Sequence, residues 1–185
     1  MARARCPIVF LLGPSGAGKS TLAQWLAEDA GLLHLEIDRF PGGDGIELEG
    51  LRDEWNMLYS GGSANPLVAT IRSRVTGARA AGAVLSFPSL LVLPAGRLNQ
   101  LSAAGVTSLV LYGSAAACLD SFLEQEVKLK RAGVEPIEHW FANNQGPYFQ
   151  FSRPEFAPFR LAVFRNGERV PRSELVEEVR KRAAA

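Results

Sequence analysis

An α/β fold built on a parallel sheet is predicted by three observations. Short apolar runs of strand length recur along the chain, segments of helical periodicity separate them, and the first run passes through a glycine-rich loop directly into a helical segment. At 185 residues the chain can bury one substantial core but not two ordinary ones, so a single domain over residues 1–185 is expected.

Ile8-Val9-Phe10-Leu11-Leu12 is a continuous apolar run ended by Gly13, the pattern of a central parallel strand covered on both faces. Lys19 to Ala30 then places Leu22, Trp25, Leu26 and Ala30 at helical spacing, and Gly31 stands where a helix stops. Leu32 to Ile37 reads as a second strand ending at Asp38. Residues 39–65 hold Pro41-Gly42-Gly43-Asp44-Gly45 and Tyr59-Ser60-Gly61-Gly62-Ser63 around a helical stretch from Leu48 to Tyr59, the pattern of a mobile insertion over a site. A helix over 66–81, a third strand over 83–87, a short helix over 97–104 and a fourth strand over 106–112 follow. Ala115 to Arg131 reads as a helix that ends in charge, and Gly133 to Pro158, rich in Pro, Asn and aromatics, as irregular. Arg160 to Arg165 is a fifth strand, Asn166-Gly167 a turn, and Ser173 to Arg182 a last helix with Ser173 as its N-cap.

Composition removes several classes of function. With 47% hydrophobic and 21% charged residues and a formal net charge of +1, the chain has no uniform field that would suit nucleic acid. The apolar run after Arg3 and Arg5 is too short for a signal peptide's hydrophobic region and runs into the loop, and no stretch approaches the length of a membrane span. A soluble, cytoplasmic protein is the expectation. Cys6 and Cys118 lack any Cys or His company, so neither a disulfide framework nor a zinc site is indicated.

Gly13-Pro14-Ser15-Gly16-Ala17-Gly18-Lys19-Ser20 matches G-x-x-x-x-G-K-[ST] in full. Glycines let backbone N–H groups converge on phosphate oxygens, the following helix presents its positive end, and Lys19 adds a charge near the β- and γ-phosphates. Ser20 supplies a hydroxyl to Mg²⁺. A glycine turn with an accidental lysine is the bland alternative, and the strand-to-helix context disfavours it. No Asn-Lys-x-Asp guanine motif accompanies the loop, and the third strand carries Ser86 where motor and transport ATPases place an aspartate. Asp38 at the end of the second strand, with Glu36 two residues before it on the same face, is the candidate general base or magnesium contact, or else a turn aspartate before Pro41.

The sequence resembles the shikimate, gluconate and nucleoside kinase branch of the P-loop kinases. The resemblance rests on the phosphate loop, on Ile37-Asp38-Arg39-Phe40, on the charged helix ending near Arg131 and on Val163-Phe164-Arg165-Asn166-Gly167-Glu168. It implies a three-layer fold with five parallel strands in the order 2-3-1-4-5, an acceptor flap near 40–65 and a lid near 128–158. It further implies ATP and Mg²⁺ as cofactors, held by Gly13, Ser15, Gly16, Ala17, Gly18, Lys19, Ser20 and Thr21, with Arg131 in the lid. Arg165, Asn166 and Gly167 would form a base-contacting turn, and Ser20 and Asp38 the metal contacts. Lys19 and Asp38 are the expected catalytic residues. Asp38, Arg39 and Arg72 are expected on the acceptor, the two arginines either binding an anionic substrate or merely solvating their segments. His139, Trp140, Asn143, Asn144 and Tyr148 form either a packed flap or part of the acceptor site. The expected activity is transfer of a phosphoryl group to a hydroxyl of a small molecule by a monomer or homodimer, and the competing one an ATP-sensing module with little turnover.

Overall fold

The computed structural model describes residues 6–37, 46–87, 92–129 and 136–184. Asp38, Arg39 and Arg131 lie outside the described residues, as do 40–45 of the expected flap and 130–135 of the expected lid.

Strands β1 (Ile8–Leu12), β2 (Leu32–Glu36), β3 (Gly82–Ser86), β4 (Val106–Tyr112) and β5 (Arg160–Ala162) form one parallel sheet in the order β2-β3-β1-β4-β5. This is the order the kinase resemblance implies. The central strand pairs on both sides, Ile8 with Ala83 and with Val106, which explains its unbroken apolar sequence. Its side chains alternate between two cores: Ile8, Phe10 and Leu12 enter one, Val9 and Leu11 the other.

The first core is closed by helices α2 (Ile46–Tyr59), α3 (Asn65–Ala78) and α4 (Ala95–Ala103), through Leu51, Trp55, Leu58, Leu67, Ile71, Leu98 and Leu101 among others. The second is closed by α1 (Lys19–Ala30), α5 (Ala115–Leu129) and α7 (Arg172–Ala184), through Leu22, Leu26, Cys118, Phe122, Leu175 and Val179. Helix α1 stops at Gly31, whose left-handed φ of 64° lets its N–H reach Ala27 O at 3.0 Å. Among the described residues no helix is long and apolar enough to cross a membrane.

Three expectations need correction. The stretch expected to be irregular contains α6 (Pro136–Ser152), followed by a 3-10 helix, Pro154–Phe159. Trp140, Asn144 and Phe151 are its buried side, at spacings of four and seven that fit 3.6 residues per turn. Gly146 and Pro147 read as breakers, but a Cβ on Gly146 would meet nothing within 4 Å, and Pro147 is accommodated inside the helix. The fifth strand ends at Ala162, and Phe164–Arg165 (β6) instead turns back on Glu168–Arg169 (β7) as an antiparallel hairpin. Asn166 and Gly167, at φ 54° and 83°, make the left-handed turn such a hairpin requires. Ser173 is not the cap of the last helix, which already includes Arg172. Within the expected flap, α2 places Leu51, Trp55 and Leu58 in the core.

Candidate nucleotide-binding site

The loop from Gly13 to Gly18 leaves the carboxyl end of β1 and feeds α1, at the centre of the sheet. Strand ends on this side of an open α/β sheet face the ligand crevice. Gly16 and Gly18 hold left-handed φ values of 82° and 86°. A Cβ at Gly16 would stand 1.9 Å from Cys118 O, so the loop lies directly against the backbone of α5. Only glycine satisfies both the backbone angle and this approach.

Lys19 is 6% exposed, and its Nζ donates to Gly13 O and Pro14 O, each at 3.0 Å. The ammonium is thus held inside the loop it serves. Ser20 Oγ donates to Glu36 Oε1 at 3.0 Å, joining the start of α1 to the end of β2. Ser86, fully buried on β3, bonds His34 Nε2 at 3.0 Å. Burial lowers the His34 pKa below 6.5, against the opposing attraction of Glu36. Cys118 is buried, and burial pushes its thiol up to about 11 although Lys19 and Arg169 pull the other way.

Two elements hold the loop from outside. From α6, Asn144 Oδ1 accepts the Ser15 N–H at 2.6 Å, Trp140 Nε1 donates to Ser15 O at 3.0 Å, and Asn144 Nδ2 donates to Trp140 O at 2.9 Å. Tyr148 Oη, on the same helix, donates to Gly113 O at 2.8 Å just beyond β4, and its ring stacks on Tyr112. From β7, Arg169 Nη2 donates to Gly16 O at 2.9 Å and to Ser121 Oγ, its Nη1 makes a long 3.5 Å bond to Ala17 O, and its guanidinium lies over the Phe164 ring.

The structure therefore gathers Gly13, Ser15, Gly16, Ala17, Gly18, Lys19 and Ser20 at one strand end, with Thr21 exposed in the first turn of α1. The Asn166-Gly167 turn belongs to the hairpin that touches the loop, but Arg165 pairs with Glu174 of α7. Arg72 is not brought to this site: it is exposed on α3, and a Cβ on Gly105 would lie 3.6 Å from its Nη2, next to the amino end of β4 and so at the opposite edge of the sheet. Residue types alone did not mark Arg169, although the Asn-Gly hairpin signal puts it across from Phe164. Trp140 and Asn144 stood in the sequence as part of a packed flap or of the acceptor site, and it is the helical spacing of α6 that turns them to the loop. Glu36 was legible through its spacing to Asp38.

No family model matches the chain, and no curated protein matches it in sequence. The likeness is to solved structures. A sugar kinase from Janibacter sp. is 20% identical with a TM-score of 0.53, over 95% of this chain and 92% of that one. Shikimate kinase from Acinetobacter baumannii in complex with shikimate is 18% identical with a TM-score of 0.51, over 96% and 93%. An uncharacterized protein from Eubacterium ventriosum is 12% identical with a TM-score of 0.57, over 97% and 99%. With this sheet order and this loop, the chain has the fold of the P-loop small-molecule kinases.

Proposed function

We propose that the protein is an ATP-dependent phosphotransferase that moves the γ-phosphoryl group to a hydroxyl of a small metabolite or nucleoside. The observation that carries this reading is the loop itself, a full phosphate-binding motif whose lysine is buried against its own carbonyls and whose serine is paired with a strand-end carboxylate. An anion arriving at the loop offers Lys19 a stronger partner than two neutral carbonyl oxygens. The residues also fit Mg²⁺, because Ser20 and Glu36 bring two hard oxygen donors together, and Asp38 follows Glu36 by two residues in the sequence. Bound there, the ion neutralises phosphate charge.

In this reading the acceptor oxygen forms a bond to the γ-phosphorus as the bond from that phosphorus to the β,γ-bridging oxygen breaks, the electron pair leaving with ADP. Asp38 takes the acceptor's proton. Lys19 and the loop amides hold the charge that spreads over the transferring group, so catalysis is mostly positioning and electrostatics.

One observation favours a second reading, an ATP-binding sensor with little turnover. The third strand offers a buried Ser86 bonded to His34 rather than an acid. ADP release measured across sugars, polyols, nucleosides and hydroxy acids separates the two. Acceptor-stimulated release supports the phosphotransferase, whereas tight ATP binding with no stimulation by any acceptor assigns the sensor.

A further inference from the structure

Consecutive carbonyls of the phosphate loop are held by two residues that the loop motif does not contain. Ser15 O accepts from the Trp140 indole, and Gly16 O and Ala17 O accept from Arg169, at 3.0, 2.9 and 3.5 Å. A trans peptide points its C=O and the N–H of the next residue in opposite directions, and no cis peptide occurs among the described residues. Drawing these three carbonyls toward α6 and β7 therefore turns the N–H groups of Gly16, Ala17 and Gly18 the other way. Of these, the Ala17 N–H makes a long 3.3 Å bond within the loop to Pro14 O. Donation to a carbonyl also polarises its peptide and strengthens the N–H at the other end, the more so when the donor is a guanidinium.

We infer that Trp140 and Arg169 are positioning residues for phosphate recognition, holding the loop's carbonyls outward so that its N–H groups are aimed and strengthened toward the phosphates. Asn144 completes the device, fixing the Ser15 N–H and, through its amide, the Trp140 carbonyl. The close seat of Arg169 has a signature in the loop: a Cβ on Gly18 would stand 2.4 Å from its Nη1. The two residues come from different elements, one from the helix that follows α5 and one from the hairpin before α7.

The inference rests on the reading of the loop as a nucleotide site, and it makes a claim that reading does not. The phosphates, not the base or the acceptor, should feel these residues. Trp140→Phe keeps an aromatic ring in the core without the indole donor, and Arg169→Met removes the fork from a side chain that is exposed. Dissociation constants for MgATP and for inorganic tripolyphosphate are measured by calorimetry on the full chain. Both should rise together, by about fivefold for Trp140→Phe and about 30-fold for Arg169→Met, the worth of one neutral and one charged hydrogen bond. Arg169→Lys, which keeps the charge and one donor, should fall between wild type and Arg169→Met, and both Arg169 variants should still unfold in a single cooperative transition. Should Trp140→Phe fail to fold, the Arg169 pair carries the test alone. Wild-type constants for both probes in a folded Arg169→Met would overturn the inference and leave the phosphotransferase reading intact. Loss of MgATP binding with tripolyphosphate binding unchanged would also overturn it, by placing Arg169 on the base. Absence of both probes from the wild-type protein would overturn the inference together with the reading beneath it.

Discussion

At the scale of single residues, Lys19 and His34 lead to opposite kinds of expectation. Lys19 is buried as a loop contact: its ammonium donates to Gly13 O and Pro14 O. Lys19→Met should therefore keep the far-ultraviolet spectrum of the fold while lowering acceptor-stimulated ADP release by roughly 10²-fold or more, the usual loss when a preorganised donor to the transferring group is removed. Turnover equal to wild type would sink the kinase assignment. His34 concerns stability rather than chemistry. Its folded pKa lies below the ordinary 6.5 because burial beside Ser86 disfavours the imidazolium, so below pH 6.5 the unfolded chain takes up a proton that the folded chain resists. Stability contributed by the neutral ring is present above that pH and is lost as pH falls through it. The denaturant midpoint should thus drop between pH 7.5 and pH 5.5, and His34→Gln should flatten the drop. The exposed carboxylates held low by arginine, Asp29 by Arg172 and Glu178 by Arg182, titrate below this window and leave it clear.

At the scale of elements, α6 decides which part of the molecule can act as a lid. The aromatic stretch was expected either to close over ATP or to stay packed on the sheet. In the structure Trp140 enters one core and Phe151 the other, and Asn144 and Trp140 grip the loop. Opening α6 would expose two large side chains at about 3–5 kcal/mol each, on the scale of their truncation, and break the hydrogen bonds to Ser15 as well. Amides over 140–151 should accordingly exchange slowly without nucleotide, with protection comparable to that of α1. Rapid exchange there, slowed by an ATP analogue, would return α6 to the role of a lid. The elements that sequence made legible were those with one dominant period. β1 is apolar throughout because both its faces are buried, β4 is apolar over Leu109–Leu111, and α1 ends at a glycine that needs a left-handed angle. α6 was hidden because its buried side includes Asn144, whose partners are backbone groups of the distant loop, and because Gly146 and Pro147 look like a stop. Arg165 was favoured over Arg169 for want of hairpin register, which determines that one pairs with α7 and the other reaches the loop.

At the scale of the whole molecule, the phosphate loop is the place where separate parts of the chain meet. It continues β1, packs Gly16 on the backbone of α5, is held by α6 at Ser15 and by β7 at Gly16, and is tied through Ser20 to the end of β2. Apart from β1, none of these neighbours is local in sequence, so an unfolded chain presents the motif without its geometry. Ligand that binds only the folded state stabilises it by RT ln(1 + [L]/Kd), about 2.7 kcal/mol at a hundredfold excess over Kd. For a chain of this length that corresponds to a rise of roughly 5–10 °C in the unfolding midpoint. The phosphates should account for most of it, because the contacts that assemble the loop surround its phosphate-facing amides. Scanning calorimetry with MgATP, tripolyphosphate and adenosine, all at one common concentration, measures the division. A tripolyphosphate shift approaching that of MgATP, with a small shift for adenosine, is the expected result. An adenosine shift as large as that of MgATP, with none from tripolyphosphate, would mean that the loop is assembled but does not bind phosphate, and the nucleotide would have to be held elsewhere.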